Sequence, residues 1–371
     1  MAVNKLSSSS KSGMVTRIIT GIVLMAVLIP CTAFGNLPFF ILMAFLSIVG
    51  IHEILKAPGH NRYNLATSIA VYAFVLSFIF WAFFKNYFQY GNYFSDSHFY
   101  MSNIFVSITG IILYALVLFL IAICSPKVTL NDVTYLFTIG IVFALGIQGM
   151  FFVRYFPNSC GILNFSPNSS IGVDTVINSV NGYSTTLGTY FQDWYTNFNL
   201  NQNFNSCLLF FFLLIGTWGS DVGAYFFGML FGKHRMNPRI SPHKTWEGFF
   251  GGMIVSAGSC LAYAAICEFS FNSPLIPGII QFSHSEVLDT IGVFNGTAWP
   301  LLVIVSLAMP VVGNVGGFLY SLIKRQYGIK DYGKIFPGHG GVIDRFDSVM
   351  INAIILSIIV LLTANGWRFT V

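Results

Sequence analysis

The chain alternates long apolar runs with short polar stretches, and nine runs have the length of membrane-crossing helices. They cover residues 18–34, 37–54, 65–84, 104–124, 133–152, 208–230, 249–266, 299–323 and 349–362. Most are near the ~20 residues needed to cross the hydrocarbon core of a bilayer. The pattern predicts an all-α, polytopic integral membrane protein of about nine transmembrane helices. In the eighth run Pro310 and the cluster Gly313, Gly316 and Gly317 predict a kink or an unwound stretch buried against protein.

The polar stretches orient these helices. With the N-terminus inside, alternate connections hold Lys5, Lys11 and Arg17; Lys56 and Arg62; Lys127; Lys233, Arg235, Arg239 and Lys244; and Lys324, Arg325, Lys330, Lys334 and Arg345. These are 15 of the 18 basic residues, and only Lys85, Arg154 and Arg368 fall elsewhere. Lys and Arg concentrate on the cytoplasmic side of membrane proteins. The N-terminus is therefore expected in the cytoplasm and the C-terminus outside. The first run has no Ala-x-Ala pattern before a plausible cut, so it is expected to remain as an uncleaved first span.

Composition reinforces this reading. Residues are 55% hydrophobic and 8% charged, where a soluble domain carries about 25% charge. A net charge of +5 spread over membrane-side loops gives no support to nucleic-acid binding. The chain divides into a polar tail (1–17), N-terminal helices (18–154), an external Asn/Ser-rich insertion (155–206), and a C-terminal region (207–371) with cytoplasmic loops 231–248 and 324–348. Six cysteines form no C-x-x-C pair and read as small apolar packing residues, although Cys160 and Cys207 would both be available outside for a disulfide.

Chemistry concentrates between residues 321 and 348, which hold eight charged residues. Lys324, Arg325, Lys330, Asp331 and Lys334 precede Pro337-Gly338-His339-Gly340-Gly341, and Asp344, Arg345 and Asp347 follow. Glycines at 338, 340 and 341 can turn backbone N–H groups toward an anion, so the loop could wrap a phosphate. Asp344 and Asp347 lie three apart, on one face of a helix beginning near Ile343, and could hold a divalent ion completed by phosphates and water.

A second block runs from Ser220-Asp221-x-Gly223-Ala224-Tyr225 to Ser241-Pro242-x-Lys244-Thr245-Trp246-Glu247-Gly248. Asp221 falls inside an apolar run, where an ionisable group is costly unless it faces a polar cavity or partner. The cations at 233–244 suit a lipid headgroup or a triphosphate. His243 and His339 each stand alone, and a lone histidine is more often hydrogen-bonded structure than acid or base.

Two further patterns are rejected. Gly228 to His234 imitates a phosphate-binding loop, but its glycines are one residue too close and His234 replaces the metal-ligating Ser or Thr. His52-Glu53 with His60 lacks the spacing of a zinc helix and reads as a helix end at the membrane surface.

The string S-x-x-K-R-x4-K-D-x-G-x3-P-G-H-G-G-x-x-D-R-x-D at 321–347, together with the second block, resembles the phosphatidate cytidylyltransferases (CDP-diacylglycerol synthases). The resemblance covers roughly the C-terminal 40% of the chain. It implies transfer of a cytidylyl group from CTP to phosphatidic acid in phospholipid biosynthesis, with Mg²⁺ as cofactor, at the cytoplasmic face of a bacterial plasma membrane. It implies catalytic roles for Asp221, Lys244, Lys324, Arg325, Lys330, Asp331, Lys334, His339 and Arg345, and substrate binding by Ser220, Ser241, Ser321, Gly338, Gly340 and Gly341. Asp344 and Asp347 would be the metal ligands, with help from Asp221. Expected partners are CTP, phosphatidic acid and the bilayer, with room for a homodimer.

Many bacterial members of that family have an acidic residue shortly before the S-x-x-K-R string, where this chain has Gly316-Gly317. The ligand set here can therefore differ, with Asn314 offering a neutral oxygen. A CTP-dependent lipid kinase would need the same basic loops and metal, and a transporter of anionic lipid would need a polar cavity but no glycine loop.

Overall fold

The computed structural model describes residues 8–59, 62–88, 98–154, 200–271, 275, 299–338 and 340–364. Among them are nine long helices: α1 (Ser8–Phe34), α2 (Asn36–Lys56), α3 (Leu65–Phe88), α4 (His98–Cys124), α5 (Leu130–Arg154), α6 (Leu200–Phe231), α7 (Trp246–Phe271), α8 (Trp299–Gln326) and α9 (Ile343–Ala364). By length and composition five are apolar enough to cross a membrane, α2 and α5 through α8, while α1, α3 and α4 contain shorter apolar segments. The chain is an all-α integral membrane protein with one departure from that class. Between α6 and α7, strands β1 (Arg235–Asn237) and β2 (Ser241–Thr245) form an antiparallel hairpin, Arg235 opposite Thr245 and Asn237 opposite Ser241.

Helix α5 packs against α2, α3, α4, α6 and α9, and so joins the first helices to the last four. Its Gly146 and Gly149 permit the approach of α9. A Cβ at Gly146 would lie 2.6 Å from Met350 Cβ, and one at Gly149 only 2.9 Å from the Ala353 carbonyl carbon. Small residues let membrane helices approach to backbone contact, where dispersion and packing replace the missing hydrophobic drive. The α6–α7 pair uses the same device, since a Cβ at Gly252 would lie 2.7 Å from the Ser220 carbonyl oxygen.

The expected unwinding of the eighth run does not occur. Helix α8 continues through Pro310 and the glycines; Gly313 and Gly316 instead admit Asn352 and Ile351 of α9, and Gly317 admits the Lys244 ammonium of β2, with a Cβ there 3.0 Å from Nζ. The glycines relieve side-chain crowding rather than breaking the backbone.

Polar clamps close both ends of the bundle. At one end Arg62 makes a bidentate pair with Asp132 at the start of α5, 2.7 and 2.9 Å, and Asp132 also accepts from Thr129. At the other, Arg154 is fully buried and donates to the carbonyls of Thr32 and Ala33 where α1 turns into α2. The insertion lies outside the described residues up to position 199, as do Cys160 and Lys5. Cys207, Cys260 and Cys267 are buried in the core.

Candidate active site

The two polar blocks meet at one end of α6, α8 and α9. Around the β1–β2 hairpin the chain is tied down by Glu247, whose carboxylate accepts from the Lys233 and His234 amides at 3.1 and 3.2 Å and contacts His234 Nδ1 at 2.6 Å. Thr245 caps α7 by accepting from the Gly248 amide at 3.2 Å. Arg325 reaches back from the end of α8 to the Ile240 carbonyl at 3.2 Å and so ties the end of α8 to the hairpin.

This frame aims Lys244 into a cavity of about 230 Å³ whose walls include Ser220, Asp221, His243, Asn314 and Ser348. Thr217 and Asn352 line its buried floor, with the Asn352 amide donating to Thr217 at 2.9 Å. Lys244 Nζ donates to Asn314 Oδ1 at 2.7 Å and lies 4.6 Å from the centre of the Phe318 ring. Burial pushes its ammonium below the usual lysine range, against the opposing pull of Asp347 and Asp221. Desolvation penalises the charged form, so an anion entering the cavity would restore what burial removes.

The glycine loop holds anions, but they are the protein's own carboxylates. Gly338 and Gly340 have φ of 74° and 87°, and the amides and carbonyls of Phe336 and Gly340 pair in a tight turn. Beyond it, the amides of Gly341 and Tyr332 donate to Asp344 Oδ2 at 3.0 and 2.9 Å, and Lys324 Nζ lies 2.9 Å from Asp344 Oδ1. The next two amides, Val342 and Ile343, each donate at 3.0 Å to Glu53 of α2. Among the described residues of the turn, the amides of Gly340 and Gly341 are thus satisfied within the protein. Four unpaired N–H groups begin every helix, and buried carboxylates meet that need here.

Helix α9 does begin at Ile343, as the spacing predicts, but its two aspartates face different surroundings. Asp344 has both oxygens occupied by Lys324, Tyr332 and Gly341. Asp347, one turn on, lies in the electrostatic reach of Lys244, Lys324 and Asp221. Arg345 is exposed, close enough for its charge to act on Asp221. Of the other sequence candidates, Ser220 lines the cavity, Ser241 opens β2 and Ser321 is half-buried on α8. Lys330, Asp331 and Lys334 are exposed on the loop and do not line the cavity. His339 lies outside the described residues.

A protein-family model described as the cytidylyltransferase family matches residues 15–363. The chain belongs to that family. Curated proteins named phosphatidate cytidylyltransferase are similar to it: one from Staphylococcus epidermidis is 38% identical over 156 residues, 42% of this chain and 49% of the relative. Those of Staphylococcus haemolyticus and Staphylococcus aureus are 38% and 37% identical over 154 residues, 42% of this chain and 48% of each relative. The match spans about half the length of these relatives.

Sequence reasoning missed Glu53, Asn314's contact with Lys244, and the Thr217–Asn352 floor. One signal was present for Glu53: it is an acid at the end of an otherwise apolar run, as Asp221 is within another. Thr217 and Asn352 carry no such signal, since single Thr and Asn residues are common in membrane helices and their pairing depends on how α6 meets α9.

Proposed function

We propose that this protein transfers the cytidylyl group of CTP to phosphatidic acid, giving CDP-diacylglycerol and pyrophosphate. The observation that supports it most is that Asp221 and Lys244 of the second block line one cavity among apolar helices together with Ser348 of α9, with Asp347 close enough for its charge to act on both. A phosphate oxygen of the lipid attacks the α-phosphorus of CTP. The bond from that phosphorus to the bridging oxygen breaks, and the β- and γ-phosphates leave as pyrophosphate. The nucleophile is already an oxyanion, so no side chain has to become covalently attached. The protein's task is alignment of two anions and neutralisation of their charge.

Lys244 is the buried cation for a phosphate at the cavity, and Arg345 supplies a second positive charge near Asp221. Asp221 and Asp347 are the carboxylates that would hold Mg²⁺. The donor set fits, because two acidic oxygens beside a phosphate and water are what this hard cation takes. When bound, it supplies charge stabilisation on the departing pyrophosphate. Lys324 keeps Asp344 in place, while Lys330 and Lys334 remain available at the surface to draw CTP from solution.

The nine helices are proposed to span a bacterial plasma membrane with the cavity open to the cytoplasm, supported by the clustering of basic residues in the loops around it. Purified protein given Mg²⁺, phosphatidic acid and CTP labelled at either the α- or the γ-phosphate tests the reaction. Label from α in the lipid, with γ in pyrophosphate alone, is expected. Lipid labelled from γ would make the protein a kinase, and lipid labelled from neither would favour binding or transport.

A further inference from the structure

We propose that Glu53, at the end of α2, is the positioning residue that sets α9 and its aspartates at the active site; the catalytic consequence rests on the cytidylyl-transfer reading above. Glu53 is 4% exposed, and each of its oxygens accepts one amide from the start of α9, Val342 and Ile343, at 3.0 Å. The donor and acceptor are 289 and 290 residues apart in the chain, so this contact joins the first helices to the signature loop. Hydrogen bonds to an ionised acceptor are about twice as strong as neutral ones.

The loop is shaped around this carboxylate. A Cβ at Gly341 would lie 2.5 Å from Glu53 Oε2, and one at Gly333 would lie 2.8 Å from Glu53 Cδ. Neither glycine has a positive φ, so the backbone conformation at both positions suits alanine, and the three atoms nearest each such Cβ all belong to Glu53. The last turn of α2 is itself fixed, because Tyr135 of α5 donates to the Ile54 carbonyl at 3.0 Å. From Glu53 the connection runs through two amides to the first turn of α9, and Asp347 follows one turn later. A displacement of about 1 Å at a reacting group can cost about a hundredfold in rate. Glu53 therefore acts on chemistry through α9 and touches no substrate.

The test uses the full chain in lipid nanodiscs with Glu53→Gln, Glu53→Ala, Gly341→Ala and the double variant Glu53→Ala/Gly341→Ala. Glu53→Gln should raise hydrogen exchange at the Val342 and Ile343 amides by about tenfold or more, the size of one lost charge-assisted bond, with exchange in α5 unchanged. It should also raise the Mg²⁺ concentration for half-maximal transfer several-fold; a cap that only stabilised the fold would lower the active fraction and leave that concentration alone. Gly341→Ala should mimic Glu53→Ala, and the double variant should be no worse than Glu53→Ala.

Unchanged exchange at those amides, effects that multiply in the double variant, or an unmoved Mg²⁺ requirement would each overturn the proposal. Should the wild type fail to transfer α-label at all, the function above falls, while exchange and the double variant still judge the anchor. If Glu53→Ala does not fold, Gly341→Ala and Glu53→Gln carry the comparison.

Discussion

Lys244 on β2 reaches Asn314 on α8 across the cavity, with Nζ to Oδ1 at 2.7 Å. The contact satisfies one donor of the ammonium with a neutral oxygen and leaves its charge uncancelled by that partner. An acid at 314 would pair with the lysine and compete with an incoming phosphate. Replacement of Asn314 by Asp is expected to raise the KM for CTP by about tenfold, the value of one charged hydrogen bond diverted, and steady-state kinetics check it.

The lowered pKa of Lys244 fixes the sign of a pH effect. The charged form is the one that attracts phosphate, and it is lost as pH rises through a pKa below the usual lysine range. The alkaline limb of kcat/KM should therefore begin below that range. In Lys244→Arg, whose cation keeps its proton at any accessible pH, residual activity should show no such limb. A pH profile of both proteins decides the matter.

The two aspartates of α9 should separate by phenotype. Asp344→Asn removes the carboxylate that pairs with the half-buried Lys324, a loss of about 1–3 kcal/mol, so a fall in melting temperature is expected. Asp347→Asn and Asp221→Asn should instead remove activity by orders of magnitude and leave melting nearly unchanged. Thermal unfolding beside transfer assays on all three variants reads both quantities.

The α5–α9 seam makes a prediction free of chemistry. Gly149→Ala forces a Cβ to within 2.9 Å of the Ala353 backbone, where no flexible side chain can yield. Overpacking of this kind costs about 1–3 kcal/mol. A lowered melting temperature is expected, while Gly258→Ala, whose Cβ would meet nothing within 4 Å, should leave it unchanged.

Orientation is accessible to cysteine labelling. In a cysteine-free background, position 181 should react with a membrane-impermeant reagent from outside and position 330 from the cytoplasmic side. Labelling at 181 from the cytoplasmic side alone would reverse the topology.

By itself the sequence determined the class of the protein, the nine apolar runs and the two polar blocks. These are local properties: the energy of a run of apolar residues in lipid and the cost of Asp221 within one depend little on which helix lies alongside. The start of α9 at Ile343 was equally local, since a glycine turn ends just before it. Which carboxylate meets which amide was not legible. Helices that are apolar all round do not mark the face they will bury, so the meeting of α2 with the start of α9, and of α6 with α9, depends on small steps such as Gly146 and Gly149 distributed along the chain. Tertiary packing alone decided that Glu53 occupies the glycine loop, that Asp344 is tied to Lys324, and that Asp347 is left beside Asp221 and Lys244.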